Sequence, residues 1–181
     1  MNFDRPHILL LGGNGFLGSG LQDELKQRSI SFKSVDKEDY DLINYANMHR
    51  CVEDLKDTTH VVVLASKIGI ELFNTDPVSA SKYNALIHEF VLDAIKTAAK
   101  HYKQAYNVTY YSTSEVYGSL QNKDDVITEH TPYSFIQNNN RYLYSYVKHQ
   151  AETDYFKLNY EHPEIVSSIK IVHPFNIYGK Y

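Results

Sequence analysis

Tyr144 and Lys148 stand four residues apart within a stretch, Arg141 to Tyr160, whose pattern predicts a helix, so both side chains fall on one face. A tyrosine with a pKa of about 10 is only about 0.1% phenolate at pH 7, and lowering that pKa by about three units asks for roughly 4 kcal/mol. An ammonium about 4 Å away is worth about that much at an effective dielectric near 20. The pair is therefore a candidate proton-transfer unit, with Tyr144 as general base. The chain has 16 tyrosines, and Tyr142 and Tyr146 lack this spacing to the lysine. Taken alone, the pair also fits a solvated helix face carrying an amphipathic tyrosine.

A second constellation is Gly12-Gly13-Asn14-Gly15-Phe16-Leu17-Gly18, between the apolar run His7 to Leu11 and the helical pattern Phe16 to Arg28. A glycine cluster leaving a strand and opening a helix gives a tight turn and close backbone approach. Free N–H groups near Gly15 to Leu17 would meet a pyrophosphate where the helix dipole favours negative charge. An ordinary strand-to-helix turn needs one or two glycines, not Gly12, Gly13, Gly15, Gly18 and Gly20 together. Asp36 lies 18 residues beyond Gly18, at the end of the strand predicted over Ser31 to Val35, where a carboxylate can accept from adenosine ribose hydroxyls. That favours NAD over NADP, with the neighbouring Lys37 as the group that could instead meet a 2′-phosphate.

The elements that must position these groups alternate. Tyr45 to Leu55 reads as helical, Val61 to Ala65 as a buried strand, Pro77 to about His101 as a long helix, Asn107 to Ser112 as a strand, Gly118 to Asn140 as loop, and Ile165 to Val172 as a strand. Such alternation predicts an α/β fold, a Rossmann-type doubly wound parallel sheet with helices on both faces and ligands at the carboxyl ends of the strands. One domain over residues 1–181 is expected from the length and from the lack of a linker or repeat.

Composition narrows the partners. A formal net charge of −4 gives no basic field for nucleic acid or an anionic membrane. The single cysteine, Cys51, rules out an internal disulfide, and the apolar run Ile8 to Leu11 is too short for a signal peptide or a span, so a cytoplasmic setting is expected. The nine histidines show no metal-ligand spacing, and no metal is predicted.

In order along the chain stand Gly12-x-x-Gly15-x-x-Gly18, Asp36, Asp41-Leu42, Leu64-Ala65-Ser66, Ser112-Thr113-Ser114-Glu115-Val116-Tyr117-Gly118, Tyr144-x-x-x-Lys148 and Pro174-Phe175-Asn176-x-Tyr178-Gly179. Over essentially its whole length the chain thereby resembles the extended short-chain dehydrogenase/reductases, specifically the NAD-dependent nucleotide-sugar epimerase/dehydratase family. The resemblance implies an NAD site formed by Gly12, Gly15, Phe16, Leu17, Gly18, Asp36, Asp41, Leu42, Leu64, Ala65, Tyr144 and Lys148, with Asp41 near adenine. It implies Thr113 and Ser114 on the reacting sugar oxygen, Glu115 as a catalytic group assisting beside the sugar, Tyr144 and Lys148 in proton transfer, Asn176 on the nucleotide-sugar diphosphate, and Asn84 as a support of the site. A nucleotide-sugar substrate and a homodimer come with it.

The departures are His173 where the family usually has Arg, a third strand that is nearly absent, and an end at Tyr181 where the family continues into a smaller substrate lobe. The expected reaction is transient oxidation at C4 of a nucleotide sugar. Ser114-Glu115 stands where 4,6-dehydratases have Asp-Glu, and the run is closest to that of UDP-glucuronate decarboxylases, placing decarboxylation or epimerisation ahead of dehydration. The alternatives are a redox-sensing or scaffolding protein that binds dinucleotide without turnover, and an inactive fragment.

Overall fold

A computed structural model of the chain describes residues 7–118, 126–135 and 141–180. The order is β1 (His7–Leu11), α1 (Phe16–Gln27), β2 (Ser31–Val35), a 3₁₀ turn (Tyr45–Asn47), α2 (Met48–Asp54), β3 (His60–Val63), α3 (Ile70–Thr75), α4 (Pro77–Tyr102), β4 (Tyr106–Tyr111), a second 3₁₀ turn (Ser114–Tyr117), α5 (Tyr142–Glu161) and β5 (Val166–Val172). Every strand pairing is parallel, in the order β2-β1-β3-β4-β5. The chain steps outward from β1 to β2 and then returns across β1 to β3. The ends of β1 and β3 therefore open a crevice at the point where the winding reverses.

The period-two pattern of each strand divides its side chains between two layers. Leu9, Leu11, Val61, Val63, Val108 and Tyr110 face one core, closed by Cys51 of α2, Phe90, Val91 and Ile95 of α4, and Tyr155 of α5. Leu10 and Val62 point the other way, onto Leu21 and Leu25 of α1. Helices thus flank both faces, as the near-continuous apolar strands require.

Local chemistry sets the boundaries. Pro77 opens α4, where its missing N–H costs nothing, and the Asp76 side chain accepts from the Ser79 N–H at 3.1 Å. The strand expected over Val61 to Ala65 ends at Val63 because the N–H groups of Leu64 and Ala65 both turn onto the Leu11 carbonyl, at 2.9 and 2.8 Å. The single helix expected over Tyr45 to Leu55 is divided: Asn44 caps the 3₁₀ turn by accepting from the Ala46 N–H, and α2 begins only at Met48. Helix α3 has no counterpart in the sequence reading. Within the loop expected over Gly118 to Asn140, residues 119–125 and 136–140 lie outside the described residues. No strand separates β2 from α2, so β2 is an edge of the sheet among the described residues.

Candidate functional site

The glycine turn is shaped by what its neighbours allow. Gly12 has φ of +84°, and a Cβ there would lie 2.6 Å from the backbone of Ala65; at Gly18 it would lie 2.2 Å from the Gly13 carbonyl oxygen. Both positions are closed to a side chain by the protein itself. Gly15 is different: it is the N-cap of α1, and its added Cβ would meet only the Gly12 carbonyl oxygen, at 3.6 Å. The space it leaves opens onto a cavity of about 520 Å³ at the carboxyl ends of β1, β2 and β3. Such a glycine admits an external group to the N–H donors of the helix start.

Gly12, Gly15, Phe16, Leu17 and Gly18 form one wall of this cavity, and Asp36, Asp41, Leu42, Leu64 and Ala65 also line it, whereas Tyr144 and Lys148 do not. Asp36 accepts from the Asn14 N–H at 2.7 Å and the Lys37 N–H at 3.0 Å. Asp41 accepts from the Ile43 N–H at 3.2 Å and lies 3.8 Å from the Lys37 ammonium. Lys37 is thereby engaged with a carboxylate at the cavity edge. Tyr40, Ser66, Lys67, Ile68, Tyr83 and Ile87 line it too and were not singled out as binding residues from the sequence. Tyr83 and Ile87 sit one position before and three after Asn84 on α4, so helical spacing was the signal for them. Asn84 is buried and fixes the loop after β3: it accepts from the Ser66 hydroxyl and the Lys67 N–H, and donates to the carbonyls of Lys67 and Ala80.

Tyr144 and Lys148 are both buried on α5, 6% and 3% exposed, at the end of β4. The ring of Tyr144 packs on Phe73, with centroids 5.0 Å apart. Burial pushes its phenol up; the hydroxyls of Ser66 and Thr113 and the guanidinium of Arg141 pull it back, while Glu115 adds to the rise. The Lys148 ammonium donates to the Tyr111 carbonyl at 2.5 Å and lies 4.4 Å from the Tyr110 ring centroid. Burial brings Lys148 down to about 7, against a smaller upward pull from Glu152.

Thr113 is buried and caps the second 3₁₀ turn by accepting from the Glu115 N–H at 3.2 Å; the Ser114 N–H donates to the Pro174 carbonyl at 3.2 Å. Glu115 is gripped by Arg141, whose Nε lies 2.7 Å from each carboxylate oxygen and whose Nη2 lies 2.5 Å from Oε1. Arg141 was not foreseen, although it precedes Tyr144 by three positions and so belongs to the same helix face. Asn176 is exposed and not part of the cavity wall, whereas its neighbours Pro174, Phe175 and Ile177 are.

Beneath Lys148, Glu152 is 1% exposed and gathers three elements. Its carboxylate accepts from Ser112 at the end of β4, from the Tyr133 hydroxyl at 2.7 Å and lies 3.1 Å from His173 Nε2 after β5. Burial would raise this carboxyl, but the hydrogen bonds from His173, Ser112 and Tyr133 outweigh it and hold it below its ordinary value. His173, the departure noted above, thus sits opposite a buried carboxylate. Among the described residues no three His, Cys, Asp or Glu converge as a metal site, and no helix is long and apolar enough to cross a membrane.

The fold recurs in solved proteins. UDP-glucose 4-epimerase from Brucella ovis, in complex with NAD, is 19% identical and has a TM-score of 0.76, covering 94% of this chain and 52% of its own. Pal from Bacillus thuringiensis is 18% identical with a TM-score of 0.77, over 96% of this chain and 57% of its own. The dTDP-4-dehydrorhamnose reductase from Bacillus anthracis, in complex with NADP, is 20% identical with a TM-score of 0.73, over 100% of this chain and 57% of its own. At these identities the likeness is one of fold, and the chain spans about half the length of each of these structures. No curated protein matches it. The family model described as "NAD dependent epimerase/dehydratase family" matches residues 8–181, nearly the whole chain, and the chain therefore belongs to that family.

Proposed function

We propose that residues 1–181 form the dinucleotide-binding domain of an NAD-dependent enzyme that acts on a nucleotide sugar through transient oxidation at C4, of the epimerase or decarboxylase type. The observation that carries this reading is the cavity beside Gly15, which opens onto the start of α1 and continues along Asp36 and Asp41 to Ser66, whose hydroxyl acts on Tyr144. Its shape and donors fit a dinucleotide, with the pyrophosphate at the helix start and the ribose near Asp36. When bound, the nicotinamide supplies the hydride acceptor.

The chain's own residues would hold the proton and orient the sugar. Thr113 and Tyr144 together present hydroxyls to a reacting alcohol, with Tyr144 taking its proton. The buried ammonium of Lys148 would stabilise the phenolate that this transfer leaves. Ser114 offers no carboxylic acid, and Glu115 stands as an acceptor to Arg141 rather than as a proton donor. Both features support decarboxylation or epimerisation over loss of water, which requires an acid for the departing hydroxyl.

The test is product identification by mass, with chromatographic separation of the isobaric 4-epimers, after incubating the full-length protein and NAD with UDP-glucuronate, UDP-glucose and dTDP-glucose. Carbon dioxide from UDP-glucuronate, or a 4-epimer of a glucose substrate, is expected. Loss of water from the glucose substrates without either of these overturns the ordering, and tight NAD binding with no turnover of any sugar points to a non-catalytic dinucleotide binder.

A further inference from the structure

We propose that Arg141 is a positioning residue that fastens Glu115 and Tyr144 to one cation, so that the carboxylate and the phenol of the site form a single charge-coupled unit. The significance of Tyr144 as a proton carrier rests on the function proposed above; the coupling itself rests on geometry.

Arg141 lies at the N-cap of α5, and its guanidinium makes the fork contact with Glu115 already described, a planar two-point match that a lysine does not reproduce. The same guanidinium carbon lies 5.3 Å from the Tyr144 ring centroid and 5.7 Å from that of Phe73, which itself packs on Tyr144. One planar cation therefore touches the 3₁₀ turn after β4, helix α3 and the first turn of α5. Both partners of the ion pair are mostly shielded, with side-chain exposures of 24% for Arg141 and 34% for Glu115, so solvent screens the pair only partly.

The charged and titratable groups that bear on Tyr144 come from every element around it. They are Glu115 from the 3₁₀ turn, Arg141 from α5, the Ser66 and Thr113 hydroxyls from the loops after β3 and β4, and Tyr110 from β4. Lys148, one turn further along α5, is committed to the Tyr111 carbonyl. Arg141 is a cation stacked on the Tyr144 ring, and Glu115 is its ion-pair partner. A sugar group that drew Glu115 away would leave the guanidinium charge to act on the phenol at the moment a proton is to be accepted.

The experiment follows the ionisation of Tyr144 by the resonance of ¹³Cζ-labelled tyrosine, assigned with Tyr144→Phe, in the full chain without dinucleotide or sugar. Glu115→Gln is expected to shift the midpoint down by about one pH unit, a tenfold loss of proton affinity for a part-exposed cation near the ring. Adding Arg141→Gln should reverse the shift, and adding Arg141→Lys should preserve part of it. A midpoint unmoved by Glu115→Gln, or one that stays low after Arg141→Gln is added, overturns the proposal. If Glu115→Gln does not fold, Arg141→Gln alone must move the midpoint up by a similar factor, and an unchanged midpoint overturns the coupling equally. Because no ligand is present, failure of the sugar chemistry and failure of this coupling are read separately.

Discussion

The carboxylate of Asp36 accepts a hydrogen bond from the backbone N–H of Asn14 at 2.7 Å, tying the end of β2 to the middle of the glycine turn. The residue proposed to meet ribose thereby also braces the glycine turn.

Asp36→Ala is accordingly expected to weaken both NAD and NADP, by about tenfold or more, and to cost about 1 kcal/mol of stability through the orphaned N–H groups of Asn14 and Lys37. The unaltered chain should bind NAD more tightly than NADP, since a 2′-phosphate would meet that carboxylate. Calorimetric titration with both dinucleotides checks this, and equal affinities would show that Lys37 compensates.

Gly15 and Gly18 should part company on substitution. Gly15→Asp fills space the protein does not use, so the melting temperature should hold while NAD binding is lost, because a carboxylate would repel the pyrophosphate. Gly18→Ala forces a methyl against the Gly13 carbonyl oxygen and should cost about 1–3 kcal/mol in stability. Parallel melts and titrations of the two variants decide it; an unfolded Gly15→Asp would place that glycine in the structure rather than in the site.

Lys148 gives the fold a pH dependence of known sign. Its ammonium loses its proton at about 7 in the folded chain and at 10.5 when unperturbed, with burial as the main cause. Between those values the unfolded chain holds more protons, so stability rises with pH from about 7 to about 10.5, and the penalty of burying the charge is fully present below 7. Lys148→Met should remove that slope and stabilise the protein at pH 6 by an amount on the order of a few kcal/mol. Comparing denaturant melts of the two proteins at pH 6 and pH 9.5 cancels the contribution of the buried tyrosines. A stability difference that is the same at both values would refute the assignment.

Tyr144→Phe in the full-length protein should lower turnover by about 100- to 10,000-fold, the usual worth of a positioned proton-transfer group, and leave NAD affinity within about twofold. Wild-type turnover in this variant would remove the phenol from the chemistry.

Much of the site was legible in the residues because it depends on local geometry. A glycine cluster after an apolar run can be read as a strand, turn and helix start; an acid at the end of the next strand and a Tyr and Lys one helical turn apart follow from spacing alone. The parallel alternation was readable for the same reason, as short β-branched runs such as Val61 to Val63 suit a strand covered on both faces.

What only the tertiary structure decided concerns groups that meet across the sheet's carboxyl edge from distant parts of the chain. Nothing in the sequence pairs Glu115 with Arg141, Asn84 with the Ser66 hydroxyl, or Glu152 with Ser112, Tyr133 and His173. Spacing likewise put Lys148 on the face of Tyr144, but only packing at the end of β4 set its ammonium on the Tyr111 carbonyl and gave the Tyr144 phenol the burial that pushes it up. Helical periodicity fixes which residues share a face; the burial and the partners that set their charge are fixed by the packing of one element on another, which no local pattern encodes.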